Sequence, residues 1–290
     1  MKILFVVNPV SGKTGKKNIE KIITEYAAQY HFSWETCHTE KQDSGNKIQK
    51  KIGEFNPDLV IVVGGDGTIN LVGGLLLNSA IEIGILPAGS ANGLAYNLDI
   101  PGNFGEALQQ TLEAKAQPFD IIRINQHHIC LHLGDVGINA QTVKRFEKEG
   151  SKGFFGYGKH MIQELRTKKQ AFSFYLSTEG HKKKYTAEML VLANAKAYGT
   201  GAMINRDGKT DDGKFEIIII KPYPWWSLFR LMRLLFIGKR THVDFVKVLS
   251  VSKADIQFSK PQDLQADGEM IEAISAIRAE IVPAALKIRY

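Results

Sequence analysis

The first apolar run, Ile3-Leu4-Phe5-Val6-Val7, stops at Asn8-Pro9 and gives way to a glycine-bearing loop, after which Ile19, Ile22, Ile23, Tyr26 and Ala27 recur at helical spacing. This reads as strand, loop, helix. A second helical pattern over 43–55 leads through Asn56-Pro57-Asp58 into Leu59-Val60-Ile61-Val62-Val63, an unbroken branched run expected of a strand covered on both faces. The cycle repeats with Gly64-Gly65-Asp66-Gly67-Thr68, an apolar helix over 69–77 and a strand over 81–86 that ends in Pro87-Ala88-Gly89-Ser90-Ala91-Asn92-Gly93. Strands alternating with helices predict a parallel α/β sheet, and the loops of such a sheet gather at its C-terminal edge, where a ligand meets backbone N–H groups and helix termini.

After a helical stretch over 104–115 the pattern changes to short strands over 119–124, 129–133, 172–177, 189–193, 215–221 and 243–251. This predicts a mainly antiparallel β domain, interrupted by helical material over 153–168 and 225–237. A boundary near Pro118 divides the chain into domains of residues 1–120 and 121–290. The final residues either close the β domain or return to the first.

Composition narrows the class. With 44% hydrophobic and 23% charged residues, 290 residues build full cores, and no tract approaches the ~20 apolar residues of a bilayer-spanning helix. The net charge of +7 is unevenly held: residues 1–120 carry 10 basic and 13 acidic side chains, residues 121–290 carry 27 and 17. A basic second half attracts nucleic acid, anionic lipid or a phosphorylated substrate. Nucleic acid is disfavoured, because no zinc-finger spacing, helix-turn-helix signature or regularly interleaved aromatic-basic surface accompanies the charge. Cys37 and Cys130 stand alone and read as buried small hydrophobes. The chain opens directly into a strand without a leader pattern, so a cytoplasmic location is expected.

Candidate chemistry lies in the three loops. Gly64, Gly65, Gly67 and Thr68 surround Asp66 in a turn small enough to bring amides against an oxygen anion, while Asp66 can hold magnesium, its water shell or a substrate hydroxyl. Asn8, Ser11, Gly12 and Lys13 can surround phosphate, although their spacing is not that of a Walker A loop. Gly89, Ser90 and Asn92 supply a third flexible connection with hydrogen-bonding side chains, and Thr39 sits at a further strand-to-helix turn.

Taken together, Asn8-Pro9-Val10-Ser11-Gly12-Lys13, Gly64-Gly65-Asp66-Gly67-Thr68 and Pro87-Ala88-Gly89-Ser90-Ala91-Asn92 resemble the catalytic domain of the diacylglycerol kinase and sphingosine kinase superfamily, nearest to bacterial soluble lipid kinases. The resemblance extends through Asp211-Asp212-Gly213-Lys214-Phe215 and Asp267-Gly268-Glu269, over almost the whole chain. It implies an α/β protein of two domains: an N-terminal open parallel-sheet nucleotide domain of the NAD kinase/6-phosphofructokinase type, and a C-terminal antiparallel β-sandwich for the lipid substrate. It also implies ATP and Mg2+. Asn8, Ser11, Gly12, Thr39, Gly65, Thr68 and Ser90 become nucleotide contacts, and Asp66, Asp267 and Glu269 organise magnesium and the acceptor hydroxyl. Asp211 or Asp212 becomes a ligand of a structural ion. Leu71 and Gly93 depart from the acids that many diacylglycerol kinases carry there, so kinase class is better specified than lipid identity.

The expected reaction is transfer of the γ-phosphate of ATP to a hydroxyl of a diacylglycerol-like or sphingoid lipid, with Asp66 preferred as base and Asp267/Glu269 for magnesium or acceptor positioning. Two alternatives use the same motif: an NAD kinase, and a nonenzymatic nucleotide-binding protein on the same fold. The apolar and basic residues of 225–237 predict transient contact with an anionic membrane, and hence a peripheral position at the inner membrane surface. Lys182-Lys183-Lys184 reads as a solvated face. A homodimer is compatible with the sequence but has no decisive signature.

Overall fold

In the computed structural model the described residues are 1–9, 16–40, 43–137, 171–198, 203–224, 227 and 244–290. Ser11 and Gly12 therefore lie outside them, as does the 225–237 segment apart from the buried Ser227. The chain divides into two units, one of Met1–Phe119 with Ala284–Tyr290, the other of Asp120–Pro283.

The first unit is built on β1 (Lys2–Val7), α1 (Lys16–Tyr30), β2 (Ser33–His38), α2 (Ser44–Phe55), β3 (Leu59–Gly64), α3 (Asp66–Leu75), β4 (Glu82–Pro87), α4 (Gly93–Asn97) and α5 (Phe104–Glu113). Its strands are parallel, in the order β4-β3-β1-β2. Residues 3–6 of β1 and 59–62 of β3 are all 0% exposed. Such burial on both faces, contributing about 1.5–3 kcal/mol for each large aliphatic side chain, explains why these strands read as continuous apolar runs. The strand β14 (Glu269–Arg289) ends in this unit, where Ile288 and Arg289 pair with Ile83 and Gly84 and the Arg289 guanidinium meets Glu82.

The register decides where the loops emerge. Val7 lies level with His38 on one side and Val63 on the other, and Val63 lies level with Leu86. Each ladder runs one step past the strands, with Asn8 N donating to Val63 O (2.9 Å), Thr39 N to Val7 O (3.0 Å) and Ala88 N to Gly64 O (2.9 Å). Four connections thus leave one edge side by side, with the reversal of strand order between β1 and β3.

The second unit is antiparallel. β5 (Ala116–Ile124) enters it, followed by β6 (His128–Cys130), β7 (Leu133–Gly137), β8 (Phe172–Thr178), β9 (His181–Ala187), β10 (Met189–Ala193), β11 (Phe215–Ile220), β12 (Val246–Val251), β13 (Lys253–Ala266) and most of β14. The order is β12-β11-β10-β7-β13-β14, with β8 and β9 added at β13 and β5 and β6 at β14. Both faces of β10 and β11 are buried: Leu190, Leu192, Ile217 and Ile219 join one apolar cluster, and Met189, Val191, Ile218 and Ile220 another.

One feature of the β6–β7 region differs from the strand predicted over 129–133. Instead of continuing a ladder there, the N–H groups of Leu131, His132 and Leu133 donate to the carboxylate of Asp267, at 2.7, 2.9 and 3.2 Å. Asp267 is only 5% exposed and sits with Gly268 in the two-residue β13–β14 turn, with φ of 48° and 92°. That turn type needs positive φ at both positions. Removing the carboxylate orphans three amides, so Asp267→Ala should lower stability by roughly 3 kcal/mol or more, read as a fall in the chemical denaturation midpoint.

Candidate active site

Asn8, Thr39, Gly65, Gly67 and Thr68 line one cleft of about 550 Å3 at the C-terminal edge of the first unit's sheet. The register brings them there from three different connections. Asn8 Nδ2 donates to Thr68 Oγ1 across the β1/β3 crevice at 3.3 Å, fixing the side of the cleft on which both polar groups stand. Ser44, Gly45 and Asn46 at the start of α2 and Leu71 of α3 also line the cleft. The α2 residues escaped the sequence reading. Their only signal was the Asp43-Ser44 pair, residues favoured at helix starts, ahead of a helical pattern.

Gly65 precedes α3, so the N–H groups of its first turn and the positive end of its dipole border the cleft. A Cβ on Gly67 would meet nothing within 4 Å. The space against this helix start is open, and a methyl group there would occupy volume that an anionic ligand can use. The neighbouring glycines are tight instead. A Cβ on Gly89 would stand 2.5 Å from Gly65 Cα and 2.8 Å from Asn92 Oδ1. The β3–α3 and β4–α4 loops therefore pack backbone against backbone.

Asn92 shapes the second loop: its Oδ1 accepts from Gly89 N at 2.7 Å and its Nδ2 donates to Gly89 O at 2.9 Å. Ser90 is exposed at the tip. Asp66 joins the loops from the other side. Its carboxylate oxygens accept from Gly93 N and Leu94 N at 2.8 and 2.9 Å, so the side chain is turned to the start of α4. Gly93, one of the two departures from the diacylglycerol kinase pattern, supplies one of these amides.

The remaining acids lie in the second unit. Asp267 is tied to three backbone amides, whereas Glu269, the first residue of β14, is exposed. Asp211 and Asp212 are both exposed, and Asp212 Oδ1 accepts from Lys214 N at 3.1 Å. The turn they occupy is held by Asp120, a buried residue the motifs did not expose, whose Oδ2 accepts from Gly213 N at 2.7 Å. Among the described residues no three His, Cys, Asp or Glu side chains converge as a metal-holding set. Both cysteines are buried, and burial pushes the Cys130 thiol well above its ordinary range, which suits packing rather than reactivity.

Two substitutions separate the tight glycine from the open one. Gly89→Ala forces the loops apart and should lower the melting temperature by several degrees, since overpacking costs about 1–3 kcal/mol. Gly67→Ala should leave the melting temperature within about a degree and, if the cleft takes the nucleotide that the resemblance implies, weaken its binding about tenfold or more, measured by calorimetric titration.

Residues 2–124 match the model of the diacylglycerol kinase catalytic domain, and residues 135–290, more than half the chain, match that of the YegS C-terminal NAD kinase beta sandwich-like domain. A Staphylococcus haemolyticus protein bearing the name of a lipid kinase is 27% identical over 252 residues, which cover 83% of this chain and 79% of that protein. One from Staphylococcus aureus strain bovine RF122, named likewise, is 26% identical over 254 residues, covering 83% and 80%. The crystal structure of a diacylglycerol kinase from Bacillus anthracis strain Sterne superposes with a TM-score of 0.80 at 22% identity, covering 100% of this chain and 96% of that one, and shows the same fold. The two domain matches and the loop geometry agree: the chain belongs to the bacterial two-domain lipid kinases, ATP-dependent enzymes in which a diacylglycerol kinase catalytic domain precedes a β-sandwich.

Proposed function

We propose that the acceptor is a hydroxyl of a diacylglycerol-like or sphingoid lipid, and that the cleft of Asn8, Thr39, Gly65, Gly67 and Thr68 holds the triphosphate of ATP. The observation that carries this placement is the open volume at Gly67 beside the start of α3, where amide hydrogens and the helix dipole favour negative charge. Asn8 and Thr68, already bonded to each other, present an amide and a hydroxyl to the same anion. Ser11 and Gly12, outside the described residues, are proposed as nucleotide contacts on the loop motif alone.

Asp66 is better suited to positioning than to accepting a proton. Both of its oxygens bind backbone amides of α4, which fixes the two glycine loops relative to each other. Asp267 is likewise engaged in holding its turn. We assign the proton of the acceptor hydroxyl to Glu269, whose carboxylate is exposed beside that turn. Magnesium, when bound, neutralises charge on the transferring phosphoryl group. Water and phosphate oxygens can supply most of its ligands with only one or two carboxylates, so the residues present fit such an ion without a preformed cage. Asp211 or Asp212, exposed in their turn, stays the candidate ligand of a separate structural ion. Among the described residues no helix is long and apolar enough to cross a membrane, and a lipid acceptor would bring the enzyme to the inner membrane surface as a peripheral protein.

Purified protein should phosphorylate diacylglycerol or a sphingoid base in a panel that also contains ceramide, phosphatidylglycerol and NAD, with products identified by mass spectrometry. NAD phosphorylation without lipid product would overturn the substrate class. Glu269→Gln should cut turnover at least a hundredfold with ATP affinity unchanged. Loss of turnover in Asp66→Asn, with binding and stability intact and Glu269→Gln active, would reassign the base to Asp66.

A further inference from the structure

The second unit has another concave surface, lined by none of the residues of the reaction's motifs. On antiparallel strands directly opposed residues share a face. Lys182 opposes Ser177, Ser177 opposes Asp255, and Asp255 opposes Arg278, giving one row across β9, β8, β13 and β14. The next row is Lys184, Tyr175, Gln257 and Ala276. A cleft of about 530 Å3 lies on this face, with Lys182 and Tyr175 among the residues lining it from β8 and β9 and Arg278 from β14.

The cations are arranged rather than merely present. Lys182 Nζ stands 5.0 Å from the centroid of the Tyr175 ring, which is itself 40% exposed, and Lys184 Nζ stands 5.9 Å from it. At the other wall Arg278 Nε donates to Asp255 Oδ1 at 2.9 Å, a bond that engages one of the five guanidinium N–H groups. The Asn125 turn is pinned beside it, with Arg278 N donating to Asn125 Oδ1 at 2.8 Å and Asn125 Nδ2 to Ala276 O at 3.1 Å.

Lysines on an edge strand ordinarily prevent strand-to-strand aggregation, and β9 pairs only with β8 among the described residues. That explanation does not reach Asp255, Arg278 or the Asn125 turn, two or more strands away from that edge. The set matches one ligand chemistry: a phosphate drawn to Lys182 and Arg278, hydroxyls for Asp255 and Ser177, and a C–H face for the Tyr175 ring. A fatty carboxylate would leave the polar floor unused, and an uncharged sugar would leave both cations unused.

We propose that this face of β9-β8-β13-β14 docks the phosphoglycerol headgroups of an anionic membrane, bringing an enzyme of lipid phosphorylation to the surface that holds its substrate. The charge complementarity and the polyol-binding floor together select this occupant, and the proposal is independent of which acid takes the proton.

Sedimentation with vesicles of phosphatidylglycerol and phosphatidylcholine tests it, with pure phosphatidylcholine for comparison. Lys182→Ala/Arg278→Ala should weaken binding to the anionic vesicles roughly 20-fold, while Lys21→Ala/Lys50→Ala, which removes the same charge from exposed helices of the first unit, should change it less than about threefold. Turnover on detergent-dispersed lipid should be unchanged in both. Lys182→Glu, at an exposed position, repeats the test should the double variant lose stability. Equal losses in the two double variants would reduce the effect to general field attraction and overturn the site. Unchanged vesicle binding would overturn it as well, even if soluble glycerol phosphate bound the wild type and not the variant, since the cleft would then serve a free metabolite.

Discussion

The contact between Gly65 and Gly89 is the constraint on which the catalytic unit depends. It lets two loops from adjacent strands pack backbone to backbone, a distance no Cβ permits. Asp66 and Asn92 then fix the pair with short polar side chains, Asn92 closing its own loop and Asp66 reaching the amides of α4. The result leaves the start of α3 open at Gly67 and bordered by Asn8 and Thr68. A site for a triphosphate has little need of a charged side chain at this point, because the helix start and its amides supply the positive potential.

The second unit solves a different problem with a similar device. Two aspartates buried at 2% and 5% exposure, Asp120 and Asp267, each hold a turn by accepting backbone N–H groups across long sequence separations. A buried carboxylate is tolerated when such donors satisfy it, and its removal leaves both a void and unpaired amides. This explains why Asp-Gly-Glu is legible as a motif although its first acid faces inward: the motif combines a structural turn with an exposed carboxylate one step beyond it.

Much of the fold was legible. Continuous branched runs marked β1 and β3 because both of their faces are covered, and the strand-loop-helix cycle implied parallel order. Strand β2 was harder to see, since Ser33–His38 lies at the sheet edge with mixed polarity. The polar β9, with three consecutive lysines, carries no strand pattern at all and is held by pairing with β8. The predicted strand over 129–133 divides because its amides go to an aspartate 134 or more residues away, a partner that local periodicity cannot register.

What the sequence determined by itself was the chemistry available in each loop: glycines that admit backbone approach, an amide and hydroxyls for phosphate, and acids in three separate motifs. Local residue type suffices for that, because backbone freedom and hydrogen-bonding capacity belong to each residue. The tertiary structure decided how those groups are used. Register set Asn8, Thr39 and Gly65 around one cleft, turned Asp66 toward α4, buried Asp267 among amides and left Glu269 outside. It also aligned Lys182, Ser177, Asp255 and Arg278 across four strands. Such assignments depend on pairing between residues tens to hundreds of positions apart, and no local pattern encodes that pairing.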